Sequence, residues 1–368
     1  MTGPSIRVGV ITDLTGPLGA LGTANANTAR LVIDEINAAG GLLDRKIELC
    51  LEDSESTDEA AEGKSRKLVQ QDRVSVVLGG IFSSTRLAIK KAVVEEGKTL
   101  YIYPEQYEGQ ECHPLIFCTG PVPAQQVEPL IPWLMRKTGA KKFYCPSADY
   151  IWPRIMNKKL REVAGANGAT IVGEEYFPLD HADWTATVEK ILSTGTDVVF
   201  NTTVPPGVAA FLTQLHQAGF KGSIVTTYFE ENVLGLFPPE LVEGMYGCLD
   251  YYQSVADPWS RALLSRYEAR YPDGPKFTAG SAATGMYRGL KLWEAAVKEA
   301  GSLRQEDVIK ALDHARIAEG PGGAAAMVPG QHHLRLNMYI ARVQNNKLEV
   351  VESLGALDPK ECSRGTRV

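Results

Sequence analysis

Apolar and polar positions alternate between two periods along the first hundred residues. Residues 6–11 have strand character. Ala29, Val32, Ile33 and Ile36 then fall at i, i+3, i+4 and i+7, one face of a helix over 24–39 that Gly40 and Gly41 stop. Ile47, Leu49 and Leu51 alternate in a second strand over 46–51, and a polar helix follows over 58–71. The almost wholly apolar run 74–78 is a third strand ending in Gly79-Gly80. Ser84 is the expected cap of a helix carrying Ala88, Ile89, Ala92 and Val93, and 99–103 is the next strand. Strands alternating with helices imply a parallel sheet with helices on both faces.

The cluster Thr119-Gly120-Pro121-Val122-Pro123 breaks the rhythm and reads as a crossover. The alternation then restarts, with strands over 142–145, 170–177, 197–203 and 223–228 and helices including 154–166 and 208–218. Pro153 is placed at the first position of the former helix. A strand over 246–252 leads into helices over 258–270, 279–299 and 304–314. Runs 324–328, 334–343 and 348–354 read as antiparallel strands, with turns at Pro329-Gly330 and Asn345-Asn346. The expected plan is two α/β lobes, one of residues 1–121 plus 253–328, the other of 122–252 plus 329–368. Ligands of such sheets bind in loops at the carboxyl ends of strands, and clefts between lobes commonly hold small molecules.

Composition narrows the function. With 38 Lys+Arg against 44 Asp+Glu the formal charge is −6, which gives no basic face for nucleic acid and no polybasic segment for a membrane surface. No run of about 18 apolar residues occurs, so no membrane insertion is expected. Residues 1–5 lead directly into a strand without a basic or apolar leader, which fits a cytosolic protein or one whose leader has been removed. Cys112 and Cys118 are near enough in sequence to bridge a small loop, the alternative being two unrelated thiols. Cys50, Cys145 and Cys248 lie in apolar runs as small buried hydrophobes, and Cys362 has no evident role.

Catalytic motifs are missing: there is no GxSxG, P-loop, HExxH or CxxC. Gly320-Pro321-Gly322-Gly323 follows a helix and precedes a strand, the wrong order for a phosphate turn, and reads as a linker. His332-His333 point to opposite faces of a strand, so no metal site and no cofactor is expected. The informative loops follow strands. Ser83-Ser84-Thr85-Arg86 offers hydroxyls and free amides at a helix start, or simple capping. Tyr103, Glu105 and Tyr107 sit at and beyond a strand end, and Asp149, Tyr150 and Trp152 precede a helix in the second lobe. Thr226 to Asn232 follows another second-lobe strand, with Glu230 and Glu231 either facing ligand or favouring a helix start.

These residues resemble the amide and urea receptors among periplasmic-binding-protein-like chains of the branched-chain amino-acid type. The resemblance runs through 9–16 and 38–41, and more specifically through Ser83 to Arg86, Tyr103-Pro104, Tyr107-Glu108-Gly109, Pro123 to Gln126, Asp149-Tyr150 and Pro153-Arg154. It implies a type I periplasmic binding protein: two Rossmann-like lobes with parallel sheets, joined by three crossovers, that close on a ligand. It implies a solute receptor delivering to an ABC permease in the periplasm. The alternative is a cytosolic sensor acting through an antiterminator-like regulator. An enzyme using Glu105 and Tyr103 as acid and base is the remaining contrast.

By correspondence with the family's amide site, Ser83, Tyr103 with Glu105, and Tyr150 surround the ligand, and Glu230 falls in the second-lobe acidic loop. The candidate ligand set is Ser83, Ser84, Thr85, Tyr103, Glu105, Tyr107, Tyr150, Trp152, Thr203, Tyr228, Glu230 and Tyr251. Glu105 departs from the family, which has a neutral residue there. A buried carboxylate needs a partner, either an Arg of the protein or a cationic ligand; the expectation is a cationic amidinium, guanidinium or amine ligand, with Asp250 as a second acidic group, against a neutral amide or urea.

Overall fold

Residues 3–280 and 283–362 are described by the computed structural model. Five parallel strands form the first half of the sheet: β1 (Ile6–Thr12), β2 (Ile47–Asp53), β3 (Val76–Gly79), β4 (Tyr101–Tyr103) and β5 (Ile116–Cys118). Between them run α1 (Gly19–Ala38), α2 (Asp58–Gln70) and α3 (Ser83–Lys90), the last continuing as a wider helical turn over Lys91–Glu96. The predicted α1 face is buried at Ala29, Val32, Ile33 and Ile36.

After β5 the chain crosses to the second half through α4 (Pro123–Thr138). It then forms β6 (Lys142–Ala148), α5 (Ile151–Ala166), β7 (Thr170–Phe177), α6 (Thr185–Ser193) and β8 (Val198–Phe200). The series ends with α7 (Gly207–Gln217), β9 (Ser223–Val225), two short helices α8 (Glu231–Leu234) and α9 (Pro239–Val242), and β10 (Tyr246–Leu249). The chain returns through α10 (Pro258–Arg270), α11 (Thr284–Ala300), α12 (Gln305–Leu312) and the short β11 (Arg316–Ile317) and β12 (Ala325–Val328). It closes with the hairpin β13 (His333–Gln344) and β14 (Lys347–Leu357), turned by Asn345 and Asn346, both at positive φ. Ser281 and Ala282, inside the helix expected over 279–299, and the terminal residues 1–2 and 363–368 of the expected lobes lie outside the described residues.

Strand order is β2-β1-β3-β4-β5-β13-β10-β9-β8-β6-β7. Renumbered within its own half, the second series has the same 2-1-3-4-5 order as the first, so the halves are two copies of one winding joined through β13, which runs parallel to β5 and antiparallel to β10. Close backbone packing seats α11 against the first half. A Cβ on Gly285 would sit 1.7 Å from Pro104 O, so α11 meets the end of β4 only because residue 285 is glycine.

Several local readings change. The crossover at 119–123 passes straight into α4, with Pro123 in its first turn and Pro129 and Pro132 inside it. Those internal prolines, and a β5 of three residues, hid both elements from periodicity. Helix α5 starts at Ile151, so Pro153 is its third residue. Phe82, not Ser84, occupies the N-cap of α3, without a side-chain bond. The bridge is Cys112–Cys362, across 250 residues, and Cys118 is a free buried thiol. Pairing of β5 with β4 locks Cys118 into the core. The tail after β14 instead returns to the 110–112 loop, where Glu361 accepts from Gln110 N at 2.7 Å.

Candidate functional site

A cleft with about 910 Å³ of empty space, part of it open to solvent, lies between the two half-sheets. Its walls are equivalent loops. Pro17 and Leu18 follow β1, Ile81 to Ser83 follow β3, and Gln106 follows β4. Facing them, Tyr150 and Trp152 follow β6, Val204 and Pro205 follow β8, and Tyr228, Asn232 and Val233 follow β9. Each half thus contributes the carboxyl ends of its first, third and fourth strands, where the 2-1-3-4-5 order reverses direction.

Gly79 aims the β3 loop. It has φ +130°, and a Cβ there would lie 1.8 Å from Ile11 O, so only glycine lets the strand end this close to β1. Helix α3 then begins at Ser83, and its first i→i−4 bond is Arg86 N to Phe82 O at 2.9 Å. Behind this wall Ser83 donates its hydroxyl to Glu108 Oε2 at 2.7 Å, and Arg86 Nη2 donates to Glu108 Oε1 at 2.7 Å. Arg86 also lies over the rings of Tyr103 and Tyr107, at 5.2 and 4.8 Å. Desolvation works against its charge, but Tyr103, Glu108 and Tyr107 outweigh that and raise its pKa.

The facing wall is aromatic. Tyr150 and Trp152 stack at 6.2 Å, Trp152 meets Tyr228 edge-on at 5.9 Å, and Tyr150 meets Phe82 of the opposite half edge-on at 6.3 Å. Tyr228 spends its hydroxyl on Thr203 O at 2.7 Å. Burial raises the pKa of Tyr150, which keeps it a neutral donor. Trp152 Nε1 is buried with no hydrogen-bond partner among the described residues.

Of the candidates read from sequence, Ser83, Tyr150, Trp152 and Tyr228 line this cleft. Ser84 faces solvent on α3, and Thr85 bonds back to Phe82 O at 2.8 Å. Tyr103 donates to Ile81 O at 2.7 Å, fixing the β3 loop from below. Tyr107 pairs with His333 Nε2 at 2.5 Å and is wholly buried. Thr203 bonds Asn201 Oδ1 at 2.6 Å, Glu230 caps α8 by accepting from Asn232 N and Val233 N, and Tyr251 packs edge-on against Phe277.

Both carboxylates expected to meet a cation are engaged elsewhere. Glu105 is fully buried behind the wall, 3.5 Å from Asn25 Nδ2 of α1. Asp250 pairs with Arg288 and accepts from Thr284 Oγ1 at 2.7 Å. Among the described residues lining the cleft there is no Asp or Glu. Sequence reading left Phe82, Gln106 and Asn232 out of the candidate set, and their place after β3, β4 and β9 was the cue.

Two windings of one α/β unit with a ligand-sized cleft between them define a two-lobed binding protein. The chain belongs to the periplasmic binding protein family, which it matches over residues 5–347. Its fold is that of the type I members, as expected from the sequence. The Leu/Ile/Val-binding protein homolog 8 of Brucella melitensis is 23% identical over 339 residues, spanning 87% of this chain and 82% of that protein. An R. palustris ABC transporter solute binding protein, solved in complex with benzoate, aligns with a TM-score of 0.84 at 20% identity, covering 97% of this chain and 98% of the other. The branched-chain amino acid transporter substrate binding protein of Streptococcus pneumoniae, in complex with isoleucine, gives 0.82 at 23% identity, covering 94% and 99%. The amide and urea subtype is a finer statement than these relatives carry.

Proposed function

We propose that this chain is the solute receptor of an ABC transporter, and that it traps a small neutral molecule with an apolar body and a carboxamide-type head. The observation that carries the reading is the cleft itself, walled by Phe82 and Ile81 from one half and by Tyr150, Trp152 and Tyr228 from the other. A ligand touching both walls stabilises the closed form by its differential affinity, the general basis of hinge closure.

The head follows from hydrogen-bond direction. Because Ser83 donates to Glu108, it turns lone pairs toward other neighbours and accepts from a ligand N–H. Amides at the start of α3 and the Trp152 N–H supply donors for a carbonyl oxygen. A cation finds no carboxylate on the cleft wall. A carboxylate would set its charge against the lone pairs of Ser83.

Family membership and the Cys112–Cys362 bridge favour a periplasmic, oxidising location over a cytosolic sensor. An enzymatic role has no support in the placement of its supposed acid and base, since Tyr103 is committed to Ile81 O and Glu105 lies behind the wall.

Titration calorimetry with benzamide, benzoate and benzamidine tests the reading, since the three share a body and differ in head charge. Benzamide is expected to bind tightest. Tighter benzamidine would restore the cationic reading, tighter benzoate would make the ligand an anion, and no binding of any of them would reject this ligand class.

A further inference from the structure

Gln106 lines the cleft after β4, and its amide is held from behind by Gln126 in the first turn of α4. Gln126 Nε2 lies 2.9 Å from Thr227 O, 3.1 Å from Cys248 O and 2.9 Å from Gln106 Oε1. Two of these partners are backbone carbonyls, which can only accept. They therefore fix which end of the Gln126 amide is nitrogen. With that end settled, Gln106 must present its oxygen to Gln126, because turning it over would set one NH2 group against another. The Gln106 NH2 is left facing away from Gln126, and no hydrogen bond from it occurs among the described residues. Thr227 and Cys248 lie at the ends of β9 and β10, so this chain of bonds ties a cleft side chain of the first half to the strands of the second.

We infer that Gln126 is a positioning residue that holds Gln106 as an N–H donor to the ligand's carbonyl oxygen, and that it couples this donor to the joint between the lobes. The inference rests on the proposed cleft and deepens it. Ser83 supplies an acceptor and Gln106 a donor on the same wall, which together match the two ends of a carboxamide.

The first test needs no ligand. In 15N-labelled unliganded protein, side-chain amide signals are assigned with Gln106→Glu and Gln126→Glu. The Gln126 NH2 is expected to be protected from solvent exchange and the Gln106 NH2 to exchange freely; the reverse order overturns the inference even if no probe binds. The second test is a double-mutant cycle with benzamide as probe. Gln126→Met is expected to weaken benzamide about tenfold in the native background and to have almost no further effect in Gln106→Met. Equal losses in both backgrounds would make Gln126 merely structural. Gln106→Glu, at the cleft surface, reverses the donor and is expected to cost benzamide affinity while improving benzamidine; unchanged benzamide binding overturns the assignment. If no probe binds wild type, the ligand reading fails and the exchange experiment alone decides the positioning role.

Discussion

Ser83 Oγ donates to Glu108 Oε2 at 2.7 Å, while the other oxygen of the same carboxylate is held by Arg86 at 2.7 Å. One buried ion pair therefore sets the hydrogen-bonding sense of a hydroxyl on the cleft wall. Glu108→Gln removes the charge that commits Ser83 as a donor. The variant is expected to shift the benzamide-to-benzoate affinity ratio toward benzoate by about tenfold, since charged acceptors bind roughly twice as strongly as neutral ones. Calorimetry with both probes checks it, and an unchanged ratio would show that Glu108 does not govern Ser83.

Arg86 and Glu108 are 4% and 3% exposed, so neither charge is easily given back to water. Arg86→Met strands Glu108 and is expected to cost about 3–5 kcal/mol in urea unfolding. Adding Glu108→Gln should recover much of that loss. A double variant no more stable than Arg86→Met alone would mean that the guanidinium stabilises mainly through the faces of Tyr103 and Tyr107.

Trp152 contributes an aromatic face and an N–H with no partner among the described residues. Trp152→Ala is expected to weaken benzamide by about 2 kcal/mol, near thirtyfold, and Trp152→Phe to recover the stacking part only. Full recovery in Trp152→Phe would leave the indole N–H without a role in binding.

The Cys112–Cys362 bridge closes a loop of 250 residues, so the chain-entropy estimate for it reaches about 5 kcal/mol. Cys112→Ser is expected to lower the urea midpoint while leaving benzamide affinity unchanged, because neither cysteine lines the cleft. Thiol titration of the denatured, unreduced protein should find the remaining cysteines, Cys50, Cys118, Cys145 and Cys248, free. A reactive Cys112 would contradict the pairing.

His333 is buried against Tyr107, and desolvation lowers its pKa from 6.5 to about 4. Between those values the unfolded chain binds a proton that the folded one does not. Stability attributable to this group is therefore present above about pH 6.5 and lost as pH falls toward 4, by roughly 3 kcal/mol. Urea unfolding between pH 4 and 7 should show that slope, and His333→Gln should flatten it. An equal slope in the variant would assign the acid sensitivity to other groups.

Regular elements were legible where one period ran long enough. The face of α1, the β7 strand and the Asn345-Asn346 turn all follow from local pattern. Helix α4 was not, because Pro129 and Pro132 interrupt a helix whose ends are fixed by packing and by Gln125, whose Oε1 accepts from Val122 N. In the candidate site, the β3, β6 and β9 loops were legible as the segments following strands. Their aromatic residues Tyr150, Trp152 and Tyr228 do face the cleft, whereas Tyr103 and Tyr107 turn inward to hold Ile81 and His333.

By itself, then, the sequence determined the alternation of strands and helices, the two α/β halves and the loops that carry the chemistry, because these depend on periodicity and turn residues within short stretches. Tertiary structure decided the partners. Whether Glu105 meets a ligand or Asn25, whether Asp250 is free or bound to Arg288, and whether Cys112 joins Cys118 or Cys362 are questions of distance between residues far apart in the chain. Charge, hydroxyl and thiol groups act over a few ångströms, and only the winding of the two sheets around β13 sets those distances.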